Sequence, residues 1–188
     1  MSQKNLIRFF RTPALSEYKK NVLLESVRQA VSPDIKDIST EFCYYIDSSI
    51  ALSGSDKDSI RWLLSETFEP DNFSEKSFLA SGRSTRGGLI IEAGPRMNFT
   101  TAWSTNAVSI CHSCGLNGIN RIERSRRYKL VFKKSVIKPL TFSLQPFLDM
   151  IHDRMTECLY EKPLETFETG IKPKPAKIIP VIEDGKAA

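Results

Sequence analysis

The chain has 188 residues, 40% apolar and 26% charged, with 27 basic against 22 acidic side chains, a net charge of +5 and a pI near 9.0. Such values exclude a wholly disordered or collagen-like chain and describe one globular domain, long enough to bury a core without disulfide or metal staples. The basic excess is mild: it suits phosphate-bearing partners and an ordinary solvated surface equally well.

Leu6-Ile7-Arg8-Phe9-Phe10 is short and β-compatible. Pro13 then precedes a helical pattern over 14–30, with Leu15, Tyr18, Val22, Leu23, Val27 and Ala30 recurring at three and four, and Ser32-Pro33-Asp34 ends it. Ile35 to Ile46 is rich in aromatic and β-branched residues and predicts a strand. Asp56 to Glu66 predicts a helix with Ile60, Leu63 and Leu64 inward, and 68–88 reads mostly as loop. Leu89-Ile90-Ile91 predicts a strand, Ser104 to Cys114 a helix closed by Gly115, Ile119 to Phe132 a long strand, and Thr141 to Tyr160 a helix interrupted early by Pro146.

The order is therefore strand, helix, strand, helix, twice. An offset of 84 residues aligns the halves without a gap, setting Leu6 on Ile90, Val27 on Cys111, Ile35 on Ile119, Tyr44 on Tyr128, Ile46 on Leu130 and Leu63 on Phe147. Two units are too few for a solenoid. The expected class is α+β: two tandem β-α-β-α repeats about a pseudo-two-fold, each a small sheet with helices on one face, neither burying its other face alone. The domain is expected over 1–160, with halves at about 4–68 and 87–160. Residues 161–188, with Lys172-Pro173-Lys174-Pro175, read as an extended linker and the start of a truncated further region.

Chemistry-bearing motifs are sparse. Cys111-His112-Ser113-Cys114 has no second ligand pair for zinc, and both cysteines fall late in their helix on its expected buried stripe, which points to core packing. The other cysteines, Cys43 and Cys158, stand alone, and His152 reads as a surface histidine. No phosphate-cradling glycine motif, paired carboxylates, signal peptide or apolar run of ~18–20 residues is present, so a membrane partner is not expected and the cytoplasm is the expected compartment. Arg121, Arg124, Arg126, Arg127 and Lys129 alternate along one strand, placing arginine on both faces. One set is expected in a buried or interfacial polar seam. The stacked aromatics of an RNA-binding sheet are missing, leaving an RNA-binding module as a weak alternative. The densest loop, Gly94 to Ala107, leads into a helix with Ser104 as expected N-cap and Thr101 as second candidate. With Arg96 it suits an anion, or equally an ordered loop whose polar groups satisfy one another.

GPRMNFTTAWSTNAVSIC, followed by GLNGINRIERSRRYKL, strongly resembles the formylglycinamide ribonucleotide amidotransferases (phosphoribosylformylglycinamidine synthases). RTPALSEYK, TEFCYYID, HDRMTECLY and PVIEDGKAA are similar too, so the likeness runs through essentially the whole chain. It implies a long ligase converting formylglycinamide ribonucleotide, ATP and glutamine to the amidine, ADP, phosphate and glutamate. It also implies an N-terminal domain like two fused copies of a small bridging subunit. The implied partners are the synthase and glutaminase domains, in cis or as separate chains, with a stand-alone adaptor as the alternative. ATP and magnesium are implied for the full enzyme only; no catalytic, cofactor or metal residue is expected in this segment. Arg96, Trp103, Ser104, Thr105 and Asn106, with Arg124 and Arg126, are the candidate interface or substrate-lid residues.

Overall fold

The computed structural model describes residues 6–65, 67–79, 88–133 and 143–170. Strand β1 (Ile7–Arg11) leads to α1 (Glu17–Ala30), β2 (Ile35–Ser48) and α2 (Gly54–Leu64). A 3-10 turn at Pro70–Asn72 precedes the short β3 (Phe73–Ser74), then come β4 (Gly88–Pro95), α3 (Ala102–Ser113), β5 (Ile119–Phe132), α4 (Gln145–Ile151) and β6 (Glu157–Leu159). The α+β expectation holds. The strands form one continuous antiparallel sheet in the order β3-β1-β2-β5-β4-β6 instead of two small ones, because the long strands β2 and β5 pair directly.

All four helices among the described residues lie on one face. Strand alternation sends Ile38, Tyr44 and Ile46 of β2 and Ile122, Tyr128 and Leu130 of β5 to that face. Two dry cores form there. One joins α2 and α3 through Ile60 and Cys111 over Phe9, Tyr44, Ile46 and Ile122. The other joins α1 and α4 through Leu24, Val27, Phe147 and Ile151 over Ile38, Tyr128 and Leu130. Each core thus takes one helix from each half of the chain. The opposite face is covered by chain as well: Phe78, Tyr160, Leu164 and Phe167 pack on Leu6, Phe10, Cys43 and Tyr45.

Helix ends follow local chemistry. Ser53 and Asp56 form a reciprocal capping box at α2, and Ser16 caps α1. Helix α2 starts at Gly54 and ends at Leu64; Glu66, expected within it, lies outside the described residues. At α3 the cap is Thr101, whose hydroxyl accepts from Ser104 N at 3.0 Å, and Ser104 sits buried in the first turn instead. Gly115 closes α3 at φ +84°, with Gly115 N bonded to His112 O and Leu116 N to Cys111 O, while Leu116 folds back onto the core. This turn leaves Cys111 buried but Cys114, as the C-cap, exposed, so only one of the two cysteines packs in the core.

The expected helix over 141–160 stops at Ile151, and its first two residues lie outside the described set. Asp153 ends it: its carboxylate accepts from Met155 N at 2.8 Å and from Thr156 Oγ1 at 3.1 Å, making a turn that returns the chain as β6. The stretch read as loop contributes Phe73 and Leu79, 5% exposed each, to the interior; 80–87 lie outside the described residues. Within the expected linker, Leu164 and Phe167 pack on the sheet and Leu6 N donates to Glu165 O at 3.3 Å; 171–188 lie outside the described residues.

Candidate functional site

Between the two dry cores, the middle of the helix-side face is charged. Phe42 of β2 pairs with Arg126 of β5 and with Arg11 of β1, and Tyr44 pairs with Arg124 one step along. Alternation brings these side chains to one strip. The Arg124 guanidinium lies 4.5 Å from the Phe42 ring centroid and 5.0 Å from that of Trp103, and Arg11 lies 5.1 Å from the Phe42 centroid. Trp103 reaches the strip from the first turn of α3, with its ring 6.0 Å from Tyr44. Arg126 donates through one nitrogen to both Glu157 oxygens at 2.7 Å each.

Of the candidate residues, Trp103, Arg124 and Arg126 are therefore brought together. Ser104 is fully buried beneath α3, and its hydroxyl has no hydrogen-bond partner among the described residues. Thr105 and Asn106 are exposed, and the Thr105 hydroxyl donates back to Thr101 O at 3.3 Å. Arg96 lies past the end of β4, where it donates to Arg154 O at 2.7 Å. Phe42, Arg11 and Glu157 join the strip without having been expected there; only the cross-strand register, set by tertiary pairing, reveals them.

The GPR loop into α3 satisfies its own polar groups. Glu123, 1% exposed, accepts from Thr101 N at 3.2 Å and Thr101 Oγ1 at 2.8 Å, and pairs with Arg121 at 2.9 Å. Arg121 also donates to Met97 O at 3.4 Å and to Phe99 O. The carboxylate suited to the positive end of α3 is thus supplied from within the chain. Gly94 is required by close approach: a Cβ there would stand 2.7 Å from the Tyr160 hydroxyl, which donates to Pro95 O at 2.6 Å.

The other arginine set does form a buried seam, on the face opposite the helices. Glu41, fully buried, accepts from Ser77 Oγ at 2.7 Å, Phe78 N at 2.8 Å, Leu79 N at 3.2 Å and the Arg127 guanidinium. Glu92 accepts from Tyr45 at 2.7 Å and Ser125 at 2.6 Å; Arg127 Nε stands 3.2 Å away, at ion-pair distance but off the line of a hydrogen bond. Lys129 donates to Leu79 O at 3.0 Å. Burial, above all other causes, pushes the Cys43 thiol and the Tyr45 and Tyr160 phenols above their ordinary ranges, so these groups stay neutral. Among the described residues, no group of three or more His, Cys, Asp or Glu is placed to hold a metal ion, and no helix is long and apolar enough to cross a membrane.

Residues 41–168 match the family described as formylglycinamide ribonucleotide amidotransferase N-terminal. The chain is 50% identical over 185 residues to a phosphoribosylformylglycinamidine synthase of Dictyostelium discoideum, covering 96% of this chain and 13% of that protein. It is 42% identical over 186 residues to a probable phosphoribosylformylglycinamidine synthase, chloroplastic/mitochondrial, of Arabidopsis thaliana, covering 97% and 13%. To the human phosphoribosylformylglycinamidine synthase it is 32% identical over 164 residues, covering 85% and 12%. The chain thus spans about 13% of the length of the first two of these curated relatives. With a likeness that runs through the GPR loop, both long strands and the turn into β6, the chain belongs to the formylglycinamide ribonucleotide amidotransferase N-terminal family.

Proposed function

We propose that this domain is the non-catalytic N-terminal scaffold of a phosphoribosylformylglycinamidine synthase, a ligase of purine biosynthesis that uses ATP and glutamine to amidate formylglycinamide ribonucleotide. The observation that carries this reading is 50% identity along 96% of the chain to a protein so named, of which the chain matches 13%. The interior fits a scaffold: its buried carboxylates are held by hydrogen bonds and ion pairs within the domain, so they do not face an open reaction site. ATP, magnesium and the glutaminase chemistry belong, on this reading, to other domains of a longer chain, with the cytoplasm as compartment. Ammonia made at one site must reach another before water protonates it. A rigid domain packed across both sites excludes solvent and holds them in register. Arg96, Trp103, Thr105 and Asn106, with Arg124 and Arg126, form the edge that meets the other domains or covers substrate, with Ser104 buried beneath it.

We further infer that the two halves are diverged copies related by a pseudo-two-fold. Phe42 pairs with Arg126, its own mate at the 84-residue offset, and the pair Ile38–Leu130 maps onto Ile122–Ile46. The dry cores correspond in part: Tyr44, Ile46, Cys111 and Ile122 in one are offset mates of Tyr128, Leu130, Val27 and Ile38 in the other. β1 with β3 and β4 with β6 keep equivalent registers, while β4 slides two residues along β5, a shift that preserves the faces.

The test is deletion of residues 1–168 from the longer chain, with glutamine- and ammonia-dependent rates measured separately. Loss of glutamine-dependent turnover beyond any loss with free ammonia is expected. Full glutamine-dependent turnover without the domain overturns the scaffold reading, and unchanged rates for both Arg96→Ala and Asn106→Ala overturn the edge assignment.

A further inference from the structure

Four arginines punctuate β5, and three of them have carboxylate partners. Arg121 pairs with Glu123, Arg126 with Glu157, and Arg127 with Glu41 and Glu92. Arg124 has none among the described residues: its guanidinium touches only the Phe42 and Trp103 rings. It lies partly buried in mid-strand, on the helix-covered face of a central strand. An uncompensated cation in such a place is unfavourable unless something answers its charge.

The offset mate shows what the position needs structurally. Thr40 occupies it in β2, 3% exposed, with its hydroxyl accepting from Ala14 N at 3.1 Å and Leu15 N at 3.2 Å to pin the lead into α1. The lead into α3 is pinned differently, by Glu123 on Thr101 and by Arg121 on Met97 and Phe99. Arg124 is thereby released from the role its mate performs.

We propose that Arg124 is the anchor of an oxyanion site that takes a phosphoryl group, either inorganic phosphate or a phosphate monoester. The two rings hold the guanidinium carbon at 4.5 and 5.0 Å from their centroids, and a planar guanidinium offers paired N–H donors to a bidentate oxyanion, which lysine does not reproduce. Arg11 shares the Phe42 ring, whereas Arg126 alongside has its charge answered by Glu157, so the oxyanion meets Arg124 itself. Trp103, in the first turn of α3, is the built-in reporter. The proposal concerns the domain by itself, so it stands or falls independently of the amidotransferase reading.

Trp62→Phe leaves Trp103 as the single tryptophan, since the sequence has two. Its fluorescence is titrated with inorganic phosphate, with glycerol phosphate, and with acetate and chloride at matched ionic strength. Saturable change with phosphate or the monoester is expected, with the tighter of the two identifying the source. Binding should be about tenfold weaker or worse in both Arg124→Met and Arg124→Lys, and unaltered in Arg8→Met, an exposed residue on the opposite face of the sheet. Should Arg124→Met fail to fold, Arg124→Lys carries the comparison. The site is overturned if neither phosphate species gives a saturable change, if chloride reproduces it, or if folded Arg124 variants respond as the parent does. An equal response to acetate overturns the phosphoryl assignment.

Discussion

Strands β2 and β5 run side by side for most of their length, yet their two faces are buried by different physics. Toward the helices, Ile38, Tyr44, Ile46, Ile122, Tyr128 and Leu130 make two dry cores. Toward the strap formed by 77–79 and 160–167, Glu41, Glu92 and Glu123 meet Arg121 and Arg127, while Lys129 donates to Leu79 O. The dry face is tolerant, since apolar contacts are non-directional and a lost methylene opens only a small cavity. The charged face is exacting, because each carboxylate there satisfies several donors at once.

Removing one carboxylate is the harshest way to break that contrast. Glu41→Ala leaves Arg127 only Glu92 as an ion-pair partner and takes the acceptor from three other donors, and should cost about 3–5 kcal/mol of unfolding free energy in denaturant titration. Ile122→Val on the dry face should cost about 0.5–1.5 kcal/mol in the same experiment. Comparable losses from the two would show that the seam is not the more exacting layer.

A smaller effect sharpens the role of the strap. Gly94→Ala places a Cβ 2.7 Å from the Tyr160 hydroxyl and 2.8 Å from Ser125 Cβ, and should cost about 1–3 kcal/mol by overpacking. Added to Tyr160→Ala, the same change should cost less than it does alone, because the obstructing ring is gone. Strict additivity would mean that Tyr160 does not hold this closeness.

The gentlest comparison perturbs nothing. Cys43 lies under the strap and Cys111 under the helices, both at most 2% exposed, and burial before any other cause pushes both thiols up, so both resist alkylation. Cys114 is exposed and should react first. In native-state labelling followed by mass spectrometry, Cys43 reacting before Cys111 would show the strap opening alone; simultaneous labelling would show both faces opening in one cooperative step.

Periodicity in the sequence was sufficient for the elements whose partners are local. The helix at 17–30, the two long strands and the Gly115 stop all rest on spacing of apolar residues or on one residue's backbone freedom. The helix expected to run to Tyr160 failed because the apolar spacing of Met155 continues past Asp153, whose side chain closes a competing turn. Ser104 was expected at the cap because it carries the right hydroxyl; Thr101 took the role because Glu123, distant in sequence, fixes it at the helix start.

The sequence by itself determined the long strands and the helices at 17–30, 54–64 and 102–113 to within a few residues, the alternation that places arginine on both faces of β5, and, through its GPR and STNA segments, the family. Only tertiary structure decided that the halves share one sheet, that each core draws a helix from both, and which arginines meet a carboxylate. The physical reason is range. Period and capping act over a few residues, whereas Arg127 finds Glu41 across 86 positions and Tyr160 finds Gly94 across 66, contacts that exist only once the sheet has set its register.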